Sequence, residues 1–469
     1  MWFPIFLLFT LSTLVLAIWP APRSFESGSS VLWIAPSVHV TYNGDSVRSY
    51  SSPGDLYSQT EWGLGVQKSY SASSGDSFSS QSIVQGAVSR ALQILFTQNI
   101  IPWKLVARNG LVEFELAAGS QKTYITSVDI TQTGTDNSNT FKPLAGQVDE
   151  SYGLNVNIDG TVNITAVSST GILHALQTFI QLFYQHSAGA GMYTNMAPVS
   201  ISDAPKFPHR GLNMDVSRNW YPMSDILRTI DALSWNKFNV LHIHMTDSQS
   251  WPMDIPALPA LSQKGAYQTG LSYTTADIQL IQTYAIERGI NVIIEFDMPG
   301  HTTAIAYAYP NLIAAFGAKP WSTYCAEPPC GTLQLNNPDV DTFLETLFSD
   351  VLPRVQPYTA YFHTGGDEVN AQSYALDPTV ESNDTGVIRG YIQKLVDRNH
   401  AQIRASGLTP IVWEEMLLDW NLALGDDVVV QTWLSDASVA ETVQRGHKAL
   451  AGNYNYWVAS HPVSIPTLS

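Results

Sequence analysis

The stretch Asn239–Asp297 decides the fold: it opens with N-V-L-H-I-H-M-T-D (239–247) and closes with N-V-I-I-E-F-D (291–297). Both runs are short and largely apolar, as is typical of buried strands. Between them, Thr275–Glu287 has the residue spacing of a helix. A strand, a helix and a second buried strand predict a βαβ unit, in which the helix crosses over and the two strands run parallel.

The same alternation extends over the whole carboxyl-terminal part of the chain. Strands are predicted at Arg210–Val216, Asn239–Met245, Asn291–Phe296, Ala360–Thr364, Ile411–Glu414, Val428–Trp433 and Ala449–Trp457. Helices are predicted between them, among others at Ser224–Leu233, Thr275–Glu287 and Val340–Val351. Over roughly 250 residues this pattern predicts an α/β fold, a TIM-type (β/α) barrel of eight strands. Because only seven strands are counted, we expect a barrel that lacks its last strand.

The first part of the chain differs and predicts a smaller α+β domain at 18–204. Apolar residues between 84 and 95 recur at helical spacing, and two alternating runs precede an apolar helix at Ile172–Tyr184. Prolines make the segment Ser202–Pro208 a stiff connector, so we place the catalytic barrel at 205–469. No cluster of titratable residues stands out in the first domain, and we assign it no chemistry.

Composition narrows the class of partner. The 469 residues include 23 Lys and Arg against 40 Asp and Glu, for a formal net charge of −17. Phosphate backbones and anionic lipid repel such a chain, so we expect no nucleic acid and no membrane as partners. Residues 1–17 are almost all apolar and end at the small residue Ala17, with Pro20 and Pro22 beyond. This pattern predicts a signal peptide, and hence a secreted, extracellular protein or one of a vacuolar or lysosome-like compartment.

In a secreted protein, cysteines can form disulfides and N-glycosylation motifs can be used. Cys325 and Cys330 lie five positions apart, and a small loop disulfide is plausible in an oxidising compartment. Asn163-Ile-Thr165 and Asn383-Asp-Thr385 are acceptor motifs for N-glycosylation, provided that they are exposed. We therefore expect a glycoprotein with one disulfide.

Polar residues follow the predicted strands at their carboxyl ends, where barrels of this type place their active sites. They are Asp215 after the first strand, Asp247 after the second, Asp297 and His301 after the third, Asp367 and Glu368 after the fourth, Glu414 and Glu415 at the fifth, and Trp433 at the sixth. Acidic residues at five strand ends predict a catalytic site on that face.

The sharpest signal is H-T-G-G-D-E at 363–368. Neighbouring residues of a strand point to opposite faces, so Asp367 and Glu368 share a site only beyond the strand end, after a turn that Gly365 and Gly366 allow. Two close carboxylates repel each other, so one pKa should rise and that group should hold a proton near neutral pH. Cleavage of a glycosidic bond needs such a protonated acid beside a carboxylate. The alternative is a pair of acids that caps the start of a helix.

Histidines offer a rival chemistry. His242, His244 and His363 lie on predicted strands, and His301 follows Asp297. Three inward histidines could hold zinc, which would make the protein a zinc hydrolase. His242 and His244 share one strand face, and each is equally well explained as a core histidine with a hydrogen-bond partner. We therefore expect neither a metal nor a cofactor.

Four segments stand out by their order: H-R-G-L-N-M-D (209–215), H-I-H-M-T-D (242–247), E-F-D-M-P-G-H (295–301) and H-T-G-G-D-E (363–368). Together they resemble glycoside hydrolase family 20, the β-N-acetylhexosaminidases, and in particular a secreted fungal member. The resemblance covers nearly all of residues 18–457. It implies that the α+β domain is the family's usual companion domain.

The resemblance implies a substrate-assisted retaining mechanism. The acetamido oxygen of the sugar would attack its own anomeric carbon while Glu368 protonates the leaving oxygen and later activates water. Asp367 would hold the acetamido N–H and stabilise the positive charge that develops there. Arg210 would bind sugar hydroxyls. The other implied site residues are Trp413 and Trp433, which would line the pocket, and Asp247, Asp297 and His301, which would orient and tune Glu368.

The resemblance also implies the substrate class. The protein would act on chitin oligomers or on the non-reducing ends of glycans, from which it would release N-acetylglucosamine or N-acetylgalactosamine. Family members are often dimers, so a homodimer is an open expectation.

The chain departs from the family near its end. Members carry a Tyr-x-Asp pair after the strand that resembles 453–457 and a later Trp-x-Glu, whereas Val458-Ala-Ser460 follows here and residues 458–469 have no strand-like period. We therefore expect family-like sequence to stop at Trp457. Each missing hydrogen bond to the transition state would cost about 3 kcal/mol, and a barrel without its last strand has unpaired edges. We expect weak activity or none, which makes a catalytically impaired, hexosaminidase-like protein the alternative to an active enzyme.

Overall fold

The computed structural model describes residues 18–47, 78–97 and 119–452. These residues form two compact units, and the main segment of the second unit begins at Phe207. Residues 137–148 also belong to the second unit. No helix of the described residues is both long enough and apolar enough to cross a membrane. The predicted signal peptide and the tail after residue 452 lie outside the described residues.

The first unit is built on a seven-stranded sheet. Its strands are β1 (Ser24–Tyr42), β2 (Asp45–Val47), β3 (Tyr124–Gln132), β4 (Tyr152–Val156), β5 (Thr161–Ala166), β6 (Tyr184–Gln185) and β7 (Met192–Asp203). They lie in the order β2-β1-β3-β5-β4-β7-β6, and the long β1 also pairs with β7. Helices Ser80–Thr97 and Ser169–Ile180 pack against each other, and the second also contacts β4 and β5. The α+β prediction for this part of the chain is confirmed.

The second unit carries the site. Its strands are β8 (Gly211–Asp215), β9 (Val240–Thr246), β10 (Asn291–Phe296), β11 (Ile313–Ala314), β12 (Thr332–Leu333), β13 (Tyr361–His363), β14 (Thr409–Trp413), β15 (Val429–Thr432) and β16 (Lys448–Ala451). Seven of them form one parallel sheet in the order β16-β15-β14-β13-β10-β9-β8. The remaining two, β11 and β12, form a separate antiparallel pair.

Helices connect the strands of this sheet. The α-helices are Met223–Trp235, Ala260–Gly265, Thr275–Ile286, Trp321–Tyr324, Pro338–Val355, Thr385–Ala405, Glu414–Leu418 and Asp436–Gln444. The 3₁₀ turns are Ser138–Phe141, Thr303–Tyr307, Pro310–Leu312 and Ala371–Leu376. A capping box explains one start: the Thr274 side chain accepts from the backbone N–H of Asp277, whose carboxylate accepts from the N–H of Thr274.

Burial along the strands explains why the sheet is parallel and curved. Every residue of β9 and β10 is buried, as expected for strands with helices on one face and a barrel interior on the other. In β9, Leu241 and Ile243 join the core beneath the helices, so the alternate residues His242 and His244 face the interior. The edge strands β8 and β16 are less buried, and no ladder joins them in the described part of the chain. The sheet is therefore a half-barrel.

All seven predicted barrel strands are present, which confirms the fold class of a barrel without its last strand in the described residues. The strand predicted at Ala449–Trp457 begins at Lys448 and ends at Ala451, and residues from 453 lie outside the described range. The helix predicted at Ile172–Tyr184 begins earlier, because the Ser168 side chain caps it by accepting from the N–H of Gly171. It ends at Ile180.

Candidate active site

The turn after β13 places two acids beyond the end of the sheet. Gly365 and Gly366 both have positive φ, of +68° and +109°, a region that side chains rarely adopt. A Cβ on Gly365 would also lie 1.8 Å from Oδ1 of Asp297. The same Oδ1 accepts the backbone N–H of Gly366 at 2.7 Å. Only glycine fits here, and the turn leaves the side chains of Asp367 and Glu368 14% and 34% exposed.

Glu368 contacts a histidine that is itself held by a buried acid. Oε2 of Glu368 lies 3.3 Å from Nε2 of His301. On the other side of the ring, Nδ1 lies 3.1 Å from Oδ1 of Asp247. His301 adopts a φ of +52°, which is unusual for a residue other than glycine. The structure thus brings Asp247, His301 and Glu368 into one line.

Charge in this line is set by the neighbours. Burial disfavours a charged ring, but Asp247 above all, with Asp297 and Asp367, holds the pKa of His301 well above its usual value. The hydrogen bond from His301 in turn lowers the pKa of Glu368. In the free site the proton therefore lies on His301, and Glu368 is ionised.

Asp367 has the opposite shift. Burial raises its pKa, and the charges of Glu295 and Glu368 add to the rise, while His301 opposes it. Asp297 also has a pKa well above its usual value, because of burial first and of the Asp367 charge second. Carboxylate oxygens of the two aspartates lie within 4.8 Å of each other, and a proton held between them would relieve the repulsion of two buried carboxylates. The sequence predicts one raised pKa in the pair of Asp367 and Glu368, and the structure places it on Asp367.

Sequence reasoning missed an ion-pair network that adjoins this line. Arg218 pairs with Asp215 at 2.9 Å, with Asp247 at 2.9 Å, and through Nε with Glu327 at 2.8 Å. Glu327 lies inside the loop closed by Cys325 and Cys330, which do form a disulfide. An arginine three residues after a strand-end aspartate is the signal that could have drawn attention to Arg218.

Below the carboxylates, a second buried acid is surrounded by rings. Glu295 is fully buried; its Oε2 lies 2.7 Å from Nε2 of His242 and 3.0 Å from Nδ1 of His244. Its Oε1 accepts the indole N–H of Trp413 at 2.7 Å. Trp413 is only 3% exposed, so it lies beneath the site rather than along an open wall.

Trp433 lies at the end of β15 and is held by two glutamates. Its backbone N–H donates to Glu414 at 2.8 Å, and its indole N–H donates to Glu415 at 3.0 Å. Burial, with the charge of Asp367 second, raises the pKa of Glu415 to about 8. Trp433 is thereby connected to the neighbourhood of Asp367, with part of its surface exposed.

The structure does not bring Arg210 to these groups. Arg210 precedes β8, at the opposite end of the strand from Asp215. Its guanidinium donates to the backbone carbonyls of Lys237 and Phe207, both at 2.7 Å. These contacts lie at the amino end of β8, whereas the carboxylates gather at the other edge of the sheet.

Donor chemistry argues against the zinc alternative. Ligand-type atoms of His242, Glu295 and His363 lie within 4.8 Å of one another. However, Nδ1 of His363 accepts the N–H of Gly365 at 2.9 Å, and burial lowers the pKa of His363 to about 3. The ring is therefore neutral with its proton on Nε2, which leaves no lone pair there for a metal. Glu295 is already occupied by Trp413 and two histidines.

Two family models match the chain. Residues 207–463 match "Glycosyl hydrolase family 20, catalytic domain", and residues 18–182 match "beta-acetyl hexosaminidase like". The first match runs beyond Trp457, so the expectation that family-like sequence stops at that residue is wrong.

Individual relatives agree with the models. A "Beta-hexosaminidase" of the fungus Arthroderma benhamiae is 37% identical over 94% of this chain and 75% of its own length. A "Chitooligosaccharidolytic beta-N-acetylglucosaminidase" of Ostrinia furnacalis is 31% identical, and this chain spans 56% of it. Among solved structures, the chitobiase of Flavobacterium johnsoniae matches with a TM-score of 0.68 and 25% identity over 93% of this chain and 59% of its own. The chain belongs to glycosyl hydrolase family 20.

Proposed function

We propose that this protein is an exo-acting β-N-acetylhexosaminidase that releases terminal N-acetylglucosamine or N-acetylgalactosamine with retention of configuration. One observation carries the proposal: Asp367 and Glu368 lie side by side beyond β13, and Nε2 of His301 lies 3.3 Å from Glu368. The acetamido oxygen of the sugar serves as the nucleophile, so that no enzymic nucleophile is needed. The fungal relative, at 37% identity over 94% of the chain, favours an active enzyme over an impaired remnant.

Glu368 is the acid and then the base. A bound sugar displaces water from its side chain, which raises the pKa of the carboxyl group and draws the proton from Nε2 of His301. Glu368 passes this proton to the leaving oxygen as the anomeric bond breaks, and the acetamido oxygen closes an oxazolinium ring. Water then attacks the anomeric carbon, the bond from this carbon to the acetamido oxygen breaks and restores the acetamide, and Glu368 takes the proton of that water. Asp247 keeps His301 oriented through its contact with Nδ1.

Asp367 holds the acetamido group. Its carboxylate accepts the N–H of the substrate amide and stabilises the positive charge of the oxazolinium ring. Asp297 lies beside it, and a proton held between the two carboxyl groups would fix the direction of the free oxygen. In the unliganded site the raised pKa of Asp367 reflects burial, and the developing positive charge would favour its ionised form.

The sugar ring is bounded by tryptophans. Trp433, which is half-buried, can form a wall against the apolar face of the sugar. Trp413, 3% exposed, can contribute only to the floor. Arg210 remains the candidate for the distal hydroxyls, but it would have to leave the carbonyls of Lys237 and Phe207 to reach them.

The substrates we propose are chitin oligomers or the ends of glycans. The relative from Ostrinia furnacalis, a "Chitooligosaccharidolytic beta-N-acetylglucosaminidase", supports this class, and the acidic charge of −17 places no penalty on a neutral sugar. We also propose secretion, or delivery to a vacuolar or lysosome-like compartment, supported by the apolar run at 1–17 and by the disulfide between Cys325 and Cys330. We also propose a homodimer.

The test is turnover of p-nitrophenyl N-acetyl-β-glucosaminide. We expect release of nitrophenol by the wild-type protein and a loss of at least about a hundredfold in Glu368→Gln, which cannot donate the proton. Glu345→Gln, at an exposed position of helix Pro338–Val355, is the matched control and should keep full activity. Sugar binding without turnover by the wild type would identify an impaired, hexosaminidase-like protein instead.

A further inference from the structure

Beneath the line from Asp247 to Glu368, the same alternation of carboxylate and imidazole continues for two more groups. Nε2 of His244 lies 2.7 Å from Oδ2 of Asp247, and its Nδ1 lies 3.0 Å from Oε2 of Glu295. A continuous series of contacting carboxylates and imidazoles thus runs from the interior of the half-barrel to the exposed carboxylate. Its members are Glu295, His244, Asp247, His301 and Glu368.

We propose that His244 and Glu295 are positioning residues for Asp247 and, through it, for His301. This inference rests on the proposed function, because it takes Glu368 as the acid that receives its proton from His301. Neither residue is proposed to touch the sugar. Their role is to keep Oδ2 of Asp247 occupied, so that Oδ1 faces His301.

The geometry of Asp247 supports this role. Its Oδ2 is occupied by His244 at 2.7 Å and by Arg218 at 2.9 Å. Oδ1 accepts the backbone N–H of Ser248 at 2.5 Å and faces Nδ1 of His301 at 3.1 Å. A carboxylate whose two oxygens have separate partners cannot rotate, so the ring of His301 keeps its Nε2 directed at Glu368. Second partners that orient a catalytic imidazole in this way are a general device of buried sites.

Burial shows why Glu295 is needed. His244 and Glu295 are 6% and 0% exposed, and an unpaired charge at such depth is strongly destabilising. Burial disfavours a charged His244 ring, but Glu295, then Asp247, raise its pKa well above the usual value. The pKa of Glu295 is lowered by His244, His363 and His242 against the effect of burial. His244 is therefore an imidazolium that donates from both nitrogens, which fixes its own orientation.

Besides Arg218, two imidazole rings consequently compete for Asp247, His244 on one side and His301 on the other. Loss of the His244 charge leaves more of the Asp247 charge to His301, which then holds its proton more tightly and passes it less readily to Glu368. The other charged or titratable groups that face this part of the chain are Arg218, Asp297, Asp367, Glu327 and Tyr267. None of them is altered by the substitutions below.

The experiment compares His244→Gln and Glu295→Gln with the wild type. For both variants we expect kcat to fall by about ten- to a hundredfold with KM within about threefold. The basic limb of the profile of kcat/KM against pH should move upward by about 0.5 to 1 unit. The kcat of the double variant should be about that of the poorer single variant, because both substitutions act through the same series of contacts to His301.

A second measurement does not depend on turnover. The pKa of His301 can be followed by NMR in histidine-labelled protein, with the resonance assigned by its loss in His301→Gln. We expect this pKa to rise in His244→Gln by about the same 0.5 to 1 unit. If the wild type hydrolyses no substrate, the proposed function fails while this titration still tests the positioning role.

His400→Gln is the matched control. His400 is also buried, and burial is the main cause that lowers its pKa to about 3. It contacts Thr364, which is not one of the five groups between Glu295 and Glu368. We expect it to lose stability without moving the pH profile. The proposal would be overturned if His244→Gln had the pH profile and the His301 pKa of the wild type. It would also be overturned if His400→Gln shifted them by the same amount as His244→Gln.

Discussion

Gly366 donates its backbone N–H to Oδ1 of Asp297 at 2.7 Å, so an acid at the end of β10 fixes the turn that follows β13. The turn and the acid are mutually dependent, because the space beside Gly365 is filled by the same carboxylate. The placement of Asp367 and Glu368 is therefore a property of two neighbouring strands, and not of the G-G-D-E segment alone.

Replacement of Gly365 tests this dependence. In Gly365→Ala the new Cβ meets Asp297 at 1.8 Å, and the φ of +68° is strained for any side chain. We expect activity to fall by at least about a hundredfold, since small displacements of reacting groups have effects of this size, together with a lower Tm. Initial rates and thermal unfolding measure both.

Gly390→Ala is the control for that substitution. Gly390 lies within helix Thr385–Ala405, and nothing lies within 4 Å of the added Cβ. Alanine should stabilise the helix by about 0.5–1 kcal/mol and leave the rate unchanged. Equal rates in the two variants would mean that the turn at Gly365 does not position the acids.

Two buried aspartates of the site should lose different amounts of stability in the same substitution, because their pKa values are shifted in opposite directions. Asp247 is ionised, because His301 and His244 outweigh the effect of burial and lower its pKa far below the usual value. In Asp247→Asn, buried cations lose their partner, and we expect a loss of about 3–5 kcal/mol in the free energy of unfolding. Burial and the charge of Asp367 raise the pKa of Asp297 well above its usual value, so Asp297→Asn, which keeps an acceptor for the N–H of Gly366, should cost about 1 kcal/mol or less. Urea unfolding at pH 7 measures the difference, and similar losses in both variants would contradict these charge states.

The sequence alone was sufficient for the scaffold and for the residues at the strand ends. Continuous apolar runs such as Asn291–Phe296 predict buried parallel strands, and the carboxyl ends of parallel strands meet at one edge whatever the packing in between. Asp247, Asp297, His301, Asp367 and Glu368 come together for that reason.

Contacts between distant segments could not be predicted in this way. Arg218 meets Glu327 across a separation of 109 residues, and no local pattern encodes that meeting. The ionisation of Glu368 depends on the charge of His301, which depends in turn on Asp247. The burial of Trp413 follows from its bond to Glu295, a relation between two strands that periodicity does not reveal.

Glu415 should make stability depend on pH. Its folded pKa is raised to about 8, so its contribution is fully present below the unfolded value of about 4.3 and is lost as pH rises through the folded pKa. Glu415→Gln keeps an acceptor for Trp433 and removes this titration. Relative to the wild type, we expect the variant to gain about 2 kcal/mol or more in free energy of unfolding between pH 5 and pH 8. A difference that stays constant over this range would show that Glu415 does not titrate there.

Removal of metal ions should have no effect. Because His363 keeps its proton on Nε2 and Glu295 is occupied by Trp413, the cluster of His242, Glu295 and His363 offers no complete set of donors for zinc. We expect full activity after dialysis against EDTA, with the same rate when zinc is added back. Loss of activity that zinc restores would revive the zinc hydrolase as the explanation.

The disulfide loop should act on the rate through Glu327. The bridge between Cys325 and Cys330 holds Glu327 against Arg218, whose NH2 group lies 2.9 Å from Asp247. We expect a loss of about three- to tenfold in kcat for Glu327→Gln, for the double serine variant of the two cysteines and for reduced wild type, since the pair is partly exposed and screened. The losses should not add, because they act on one contact. Asp427→Asn is the control: it breaks an exposed ion pair with Arg404, at 2.7 Å, and should leave kcat unchanged. If reduction of the disulfide has no effect on kcat while Glu327→Gln lowers it, Arg218 rather than the bridge holds the loop in place.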